Sequence, residues 1–271
     1  MKQISIIIGA ALLSVNVFAF DIGSAINKGV EVLGNGGEKS SKGSTTLSSL
    51  SSGEVSKGLK EALGQGIDTA IKTLGVKDGY FGDQLVKIML PKSMQNIADI
   101  VSKAGGEKYV NDLVLSMNRA AEGSVKKVAP IFADALSSMS IEDSKNILAG
   151  GDGAATAYFK GKTESKIVKT VEPIIQKSMA QNSVYNYYDS LKSYYDKLGL
   201  GSVASSGLGA LASSVSGVEV PSFPSREELD SYVSQKAADG LFTMIGEQEN
   251  KIRNVVGART TPLLQKVFST L

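Results

Sequence analysis

Four arginines, Arg119, Arg226, Arg253 and Arg259, stand among a far larger number of lysines. Lysine suffices for solubility, whereas the planar guanidinium fork suits two-point recognition of carboxylate or phosphate, so anion chemistry is sought first at these positions. Arg119 lies in Met117-Asn-Arg-Ala-Ala-Glu122, three residues before Glu122, and the two can pair on one helical face. Read for function, Arg119 is an anion-binding group steadied by Glu122, with Asn118 beside it. The plainer reading is helix packing through Ala120 and Ala121 with one ion pair. Arg259-Thr260-Thr261 stands just before Pro262, so a helix starting there offers backbone N–H groups and two hydroxyls to an anion. The plainer reading is a threonine cap and an Arg259–carboxylate pair. With Arg253, on an apolar helical stretch, the candidate ligand-binding residues are Asn118, Arg119, Glu122, Arg253, Arg259, Thr260 and Thr261. Convergence of Arg119, Arg253 and Arg259 on one pocket would favour binding; scatter would favour packing.

Carboxylates supply a second kind of candidate. Two of them in differently polar surroundings can cleave a glycosidic bond, and Asp134, Asp143, Asp239, Glu247 and Glu249 are the residues to consider. Glu247 and Glu249 are two apart and face different ways on a helix, so a solvated acidic face is the expectation there. The chain has His 0 and Cys 0. That removes Ser-His-Asp and Cys-His nucleophiles, ordinary zinc sites and the Glu-x-x-His di-iron pattern. Gly161-Lys162-Thr163 fails as a phosphate loop because Thr156 stands where the pattern needs glycine. Asp78 to Asp83 has too few spaced oxygens for a calcium loop. No metal or cofactor is expected. Lys+Arg 29 against Asp+Glu 27 leaves no basic excess for nucleic acid.

The elements that must position these residues read as helices. Met1-Lys2, an apolar run from Ile4 to Val15 and small residues at Val17 and Ala19 have the layout of a cleavable secretory signal over 1–19. A run of about 16 residues is short for a bilayer span, which needs about 20, so a periplasmic protein with no membrane span after cleavage is expected. Residues 20–52 are Gly/Ser-rich and read as a flexible segment. From 53 to 271 the expectation is a single all-α, multi-helix, bundle-like domain. Val55, Leu59, Leu63, Ile67, Ile71 and Leu74 form one apolar stripe, and Gly58, Gly64 and Gly66 within it point either to close approach by another backbone or to a marginal helix. Gly75 reads as a left-handed cap, Asp78 to Gly82 as a turn, and Leu85 to Pro91 as an extended or briefly helical run. Ser93 is read as a cap, with Ile97, Ile100 and Val101 inward. Pro130 should kink or split a long helix over Glu107–Met139. Ser140–Asp143 and Ser225–Glu228 have capping-box spacing, Asp152 can cap Ala154–Lys160, and Thr163 can cap the next helix. Val184–Leu198 is tyrosine-rich, and 199–224 is an exposed Gly/Ser/Pro loop.

From Gly58 onward several strings look familiar: Gly58-Leu-Lys-Glu-Ala-Leu63, Asp78-Gly-Tyr-Phe-Gly82, Val86-Lys-Ile88 with Leu90-Pro91, Met117-Asn-Arg-Ala-Ala-Glu122, Phe132-Ala-Asp-Ala135, Asp239-Gly-Leu-Phe242 and Ala258-Arg-Thr-Thr261. In order and spacing the chain resembles the bacterial domain-of-unknown-function 4197 family. The resemblance implies an exported helical protein and no particular activity. The expectation is therefore a periplasmic protein that holds a small anionic or amphipathic ligand, or an envelope component, between its helices. A carboxylate-dependent hydrolase of cell-wall glycan and a purely structural envelope protein are the alternatives.

Overall fold

The computed structural model describes residues 51–181, 183–198, 223–259 and 265. The expected signal, the flexible segment up to residue 50, residues 199–222 of the 199–224 loop, Thr260, Thr261 and all of the expected last helix but Gln265 lie outside them. Helix α1, Ser52–Leu74, opens on a capping box: Ser51 Oγ accepts the Glu54 N–H at 3.2 Å and the Glu54 carboxylate accepts the Ser51 N–H at 2.9 Å. Gly58, Gly64 and Gly66 are all buried on it. At Gly66 a methyl group would stand 3.3 Å from the Cβ of Gln248, so glycine is what lets that neighbouring helix approach. Gly75 ends α1 with φ −82°, not in the left-handed region, and its N–H still bonds Ile71 C=O. The left-handed residue is Asp78, at φ 68°.

A non-helical strap follows, turns first, the last closed by the Lys87 N–H on Asp83 C=O at 2.8 Å, and then irregular chain to Pro91. Helix α2, Lys92–Val101, begins at Pro91 without any side-chain cap, so Ser93 lies inside it; Ile97 and Val101 are buried, but Ile100 is exposed. A π-helical turn, Ser102–Gly106, with Gly105 at φ 92°, leads into α3, Glu107–Ser124. A 3-10 turn, Val125–Val128, separates α3 from α4, Ala129–Ser138, and Pro130 sits in the first turn of α4, where its missing N–H removes no helical bond. The Ser140 capping box opens α5, Ile141–Ala149.

Helix α6 runs unbroken from Ala154 to Gln181. Thr163 does not start a new helix: it is buried in the middle of α6, and its hydroxyl bonds the Phe159 carbonyl at 2.7 Å within the same turn. Helix α7, Val184–Lys197, buries Tyr188 and Tyr195 and leaves Tyr185, Tyr187 and Tyr194 at the margin of the core. Helix α8, Arg226–Asn254, starts on the Ser225–Glu228 capping box. It lies along α6 and α1; α3 fills the space between α6 and α7; α4 and α5 close over α1. Phe132, Phe159 and Phe242, from α4, α6 and α8, meet edge to face with centroids 6.1 Å apart. Each such buried ring contributes about 2 kcal/mol of apolar burial. Among the described residues there is no strand, and no helix is long and apolar enough to cross a membrane.

Candidate functional site

Asn118, Arg119 and Glu122 come together against the strap. The Asn118 amide accepts the Ile88 N–H at 2.8 Å and donates to the Ile88 carbonyl at 2.8 Å, pairing with that residue as a neighbouring strand would. Its second amide hydrogen goes to Val114 C=O at 2.8 Å, so its bonding capacity is largely filled. One Glu122 oxygen accepts the N–H groups of Tyr80 and Phe81, each at 3.2 Å, and the other takes Arg119 at 2.7 Å. Arg119 then reaches Asp78 at 2.7 Å. Tyr80 is fully buried and donates its hydroxyl to Ala237 C=O at 2.7 Å; burial, with Glu122 nearby, pushes its phenol far above the ordinary range. The sequence motif is thus a clamp that holds an irregular segment onto two helices.

Arg253 belongs to a second knot. It is buried, donating to Glu249 at 3.0 Å and to Ile147 C=O at 2.7 Å. Glu249 also accepts the Ala155 N–H at 3.0 Å and both the N–H and hydroxyl of Thr156, at 2.8 and 2.7 Å. It satisfies the first free N–H groups of α6 from across the fold, the work expected of Asp152. Glu249 is therefore no part of a solvated acidic face, although Glu247 is exposed. A signal for this was present, because Glu249 falls between Ile245 and Ile252 on their apolar stripe. Arg259 bonds the carbonyls of Ile252 and Arg253, at 3.2 and 2.7 Å, at the C-terminal end of α8, where a cation meets the helix dipole favourably.

The three arginines accordingly divide between two knots, and none lines either of two clefts found among the described residues. The first cleft, of about 350 Å³, runs between the strap and α8; Leu85, Lys87 and Met89 face Tyr232, Lys236 and Asp239 across it. Leu85 is 68% and Met89 54% exposed, large values for apolar side chains on a segment so firmly held. Sequence reasoning did not reach this groove, since the run from Lys87 to Pro91 is too short for its periodicity to distinguish two faces. The second cleft, of about 440 Å³, brings Asp134 and Asp143 together with Tyr158, Lys162 and Lys166. Its Asp143 carboxylate is held below the ordinary range, chiefly by the Ser140 N–H and then by the Ser140 hydroxyl of the capping box. Among the described residues no group of acidic side chains could hold a metal ion.

These features define an all-α protein whose buried ionic groups fasten irregular segments to a helical core. Residues 49–269 match the model of a family described as protein of unknown function (DUF4197), and the chain belongs to that family. Comparison with curated proteins and with solved structures finds no match.

Proposed function

We propose that this chain is an exported, non-catalytic protein that binds an amphipathic anionic ligand or an envelope partner in the groove between the strap and α8. The observation that carries the reading is the pairing of exposed Leu85 and Met89 with Lys87 and Lys236 around one cleft. Apolar area beside cations suits a partner that is part hydrocarbon and part anion. Support also comes from Glu122 and Glu249, whose oxygens are occupied by N–H, hydroxyl and guanidinium donors. Groups so occupied hold structure rather than exchange protons with a substrate. Native mass spectrometry of protein recovered from the periplasm tests this. The expected species has lost residues 1–19 and carries an added mass that Leu85→Glu and Lys236→Glu abolish. Recovery of the wild type with no partner, or with the leader intact, would sink it.

A second reading has one observation in its favour: Asp134 and Asp143 line a common cleft, as a carboxylate-dependent hydrolase of cell-wall glycan requires. The involvement of Asp143 in the Ser140 cap weakens it. Incubation with purified peptidoglycan decides, since fragment release abolished by Asp134→Asn would establish turnover and displace the binding reading.

A further inference from the structure

We infer that the groove takes an extended peptide, which pairs with the free edge of the strap as an added strand and places an acidic side chain beside Lys87. This rests on the groove being the binding site, as proposed above. In extended chain, one residue's N–H and C=O share an edge and its neighbours' groups point to the opposite edge. Ile88 gives its edge to Asn118. The opposite edge belongs to Lys87 and Met89 and faces the groove, where Tyr232 donates its hydroxyl to Met89 C=O at 2.9 Å. Among the described residues nothing bonds the Met89 N–H or the Lys87 C=O. Burial alternates along the segment as in a strand: Val86, Ile88 and Leu90 are buried, whereas Met89 is exposed and Lys87 half-buried. The clamp has thus built a strand edge, with one donor and one acceptor spare, in a protein otherwise made of helices.

The charge of the groove selects the occupant. The Lys87 ammonium lies 4.1 Å from the Phe81 ring centroid and meets no carboxylate among the described residues. Across the groove, Asp239 is shared between Lys236 at 3.3 Å and Lys160 at 3.7 Å. A carboxylate with apolar side chains two residues to either side complements this arrangement: the acid sits against Lys87, and those next-but-one residues, which share its face, sit against Leu85 and Met89. A second copy of the strap fits worse, because antiparallel pairing would bring two Lys87 side chains together.

Fluorescence anisotropy with the full mature chain and a labelled, acetylated and amidated Thr-Val-Thr-Glu-Thr-Val-Thr peptide, which puts valine, glutamate and valine on one face, tests the inference. Met89→Pro removes the N–H that bonds nothing together with the methionine side chain, so it is compared with Met89→Ala, which keeps the N–H and is expected to bind about tenfold more tightly than the proline variant. The expected result is saturable binding to wild type, about tenfold weaker binding to Met89→Pro and to Lys87→Gln, and none by the same peptide N-methylated along its pairing edge. Equal binding of the methylated peptide, or of the same peptide with glutamine in place of glutamate, to wild type overturns strand pairing or acid recognition without any variant. Binding of phosphatidylglycerol vesicles but not of peptide, lost in Leu85→Glu, also overturns it while leaving the groove as the binding site. Failure of both probes, with no mass added in the periplasm, removes both readings.

Discussion

Asn118 is held to its role by what its amide must do: accept from one backbone group and donate to another on the same residue. Alanine there leaves the Ile88 N–H and C=O buried and unpaired, and each such group costs about 1–3 kcal/mol. Asn118→Ala should therefore lower stability by about 3 kcal/mol in urea unfolding, and Asn118→Asp should fail to restore it because it loses the donor. At the other end of the polar core, Asp230 is buried and accepts the Tyr185 hydroxyl at 2.8 and 2.9 Å. Desolvation raises its pKa; the Tyr185 bond opposes that, while Glu227 and Glu172 add to it. A carboxyl raised on folding contributes stability that is complete below its unfolded pKa and fades as pH rises through the folded value. Asp230→Asn removes that loss and keeps an acceptor for Tyr185. It should raise Tm at pH 7 by up to about 4 °C, the shift made by about 1 kcal/mol in a domain of this size, and the gain should vanish towards pH 4. A lower Tm at pH 7 would show that the charged form is the one the fold needs.

The strap is an element without secondary structure of its own, so its position depends on what it packs against. Gly240 of α8 is the tightest point: a Cβ there would stand 2.8 Å from Tyr80 Cε1 and 3.2 Å from Val86 Cβ. Both neighbours are buried and Tyr80 is tied to Ala237, so neither can move aside freely. Gly240→Ala should cost about 2 kcal/mol, within the range for overpacking, despite the higher helix propensity of alanine. Hydrogen exchange should show the Tyr80, Phe81 and Ile88 amides opening first, with α6 still protected. Uniform loss of protection across α6 and α8 would mean that the strap is not a separable unit. Helix α6 depends on its surroundings in a similar way, because Glu249 from α8 supplies the cap that its own first residues lack.

At the scale of the whole molecule, the sequence by itself determined the helical class, the stripe of α1, the break at Pro130 and two of the three capping boxes. These follow from local spacing: apolar residues at three and four, a missing N–H, or a serine three residues before an acid. The absence of histidine and cysteine likewise closed off imidazole and thiol chemistry before any fold was known. Arg119 and Glu122 pair as their spacing suggested. Their object, the strap, lies 41–42 residues away in sequence, and no local pattern encodes such a distance. Thr163 looked like a helix start because a hydroxyl serves equally well as a cap or within a turn; burial against the core chose the second. Glu249 looked solvated because carboxylates usually are, until α6 placed its unpaired N–H groups against it. Only the tertiary structure decided which polar groups are buried, since desolvation depends on what packs nearby. For the same reason it alone set the two arginine knots apart and left Leu85 and Met89 exposed beside Lys87.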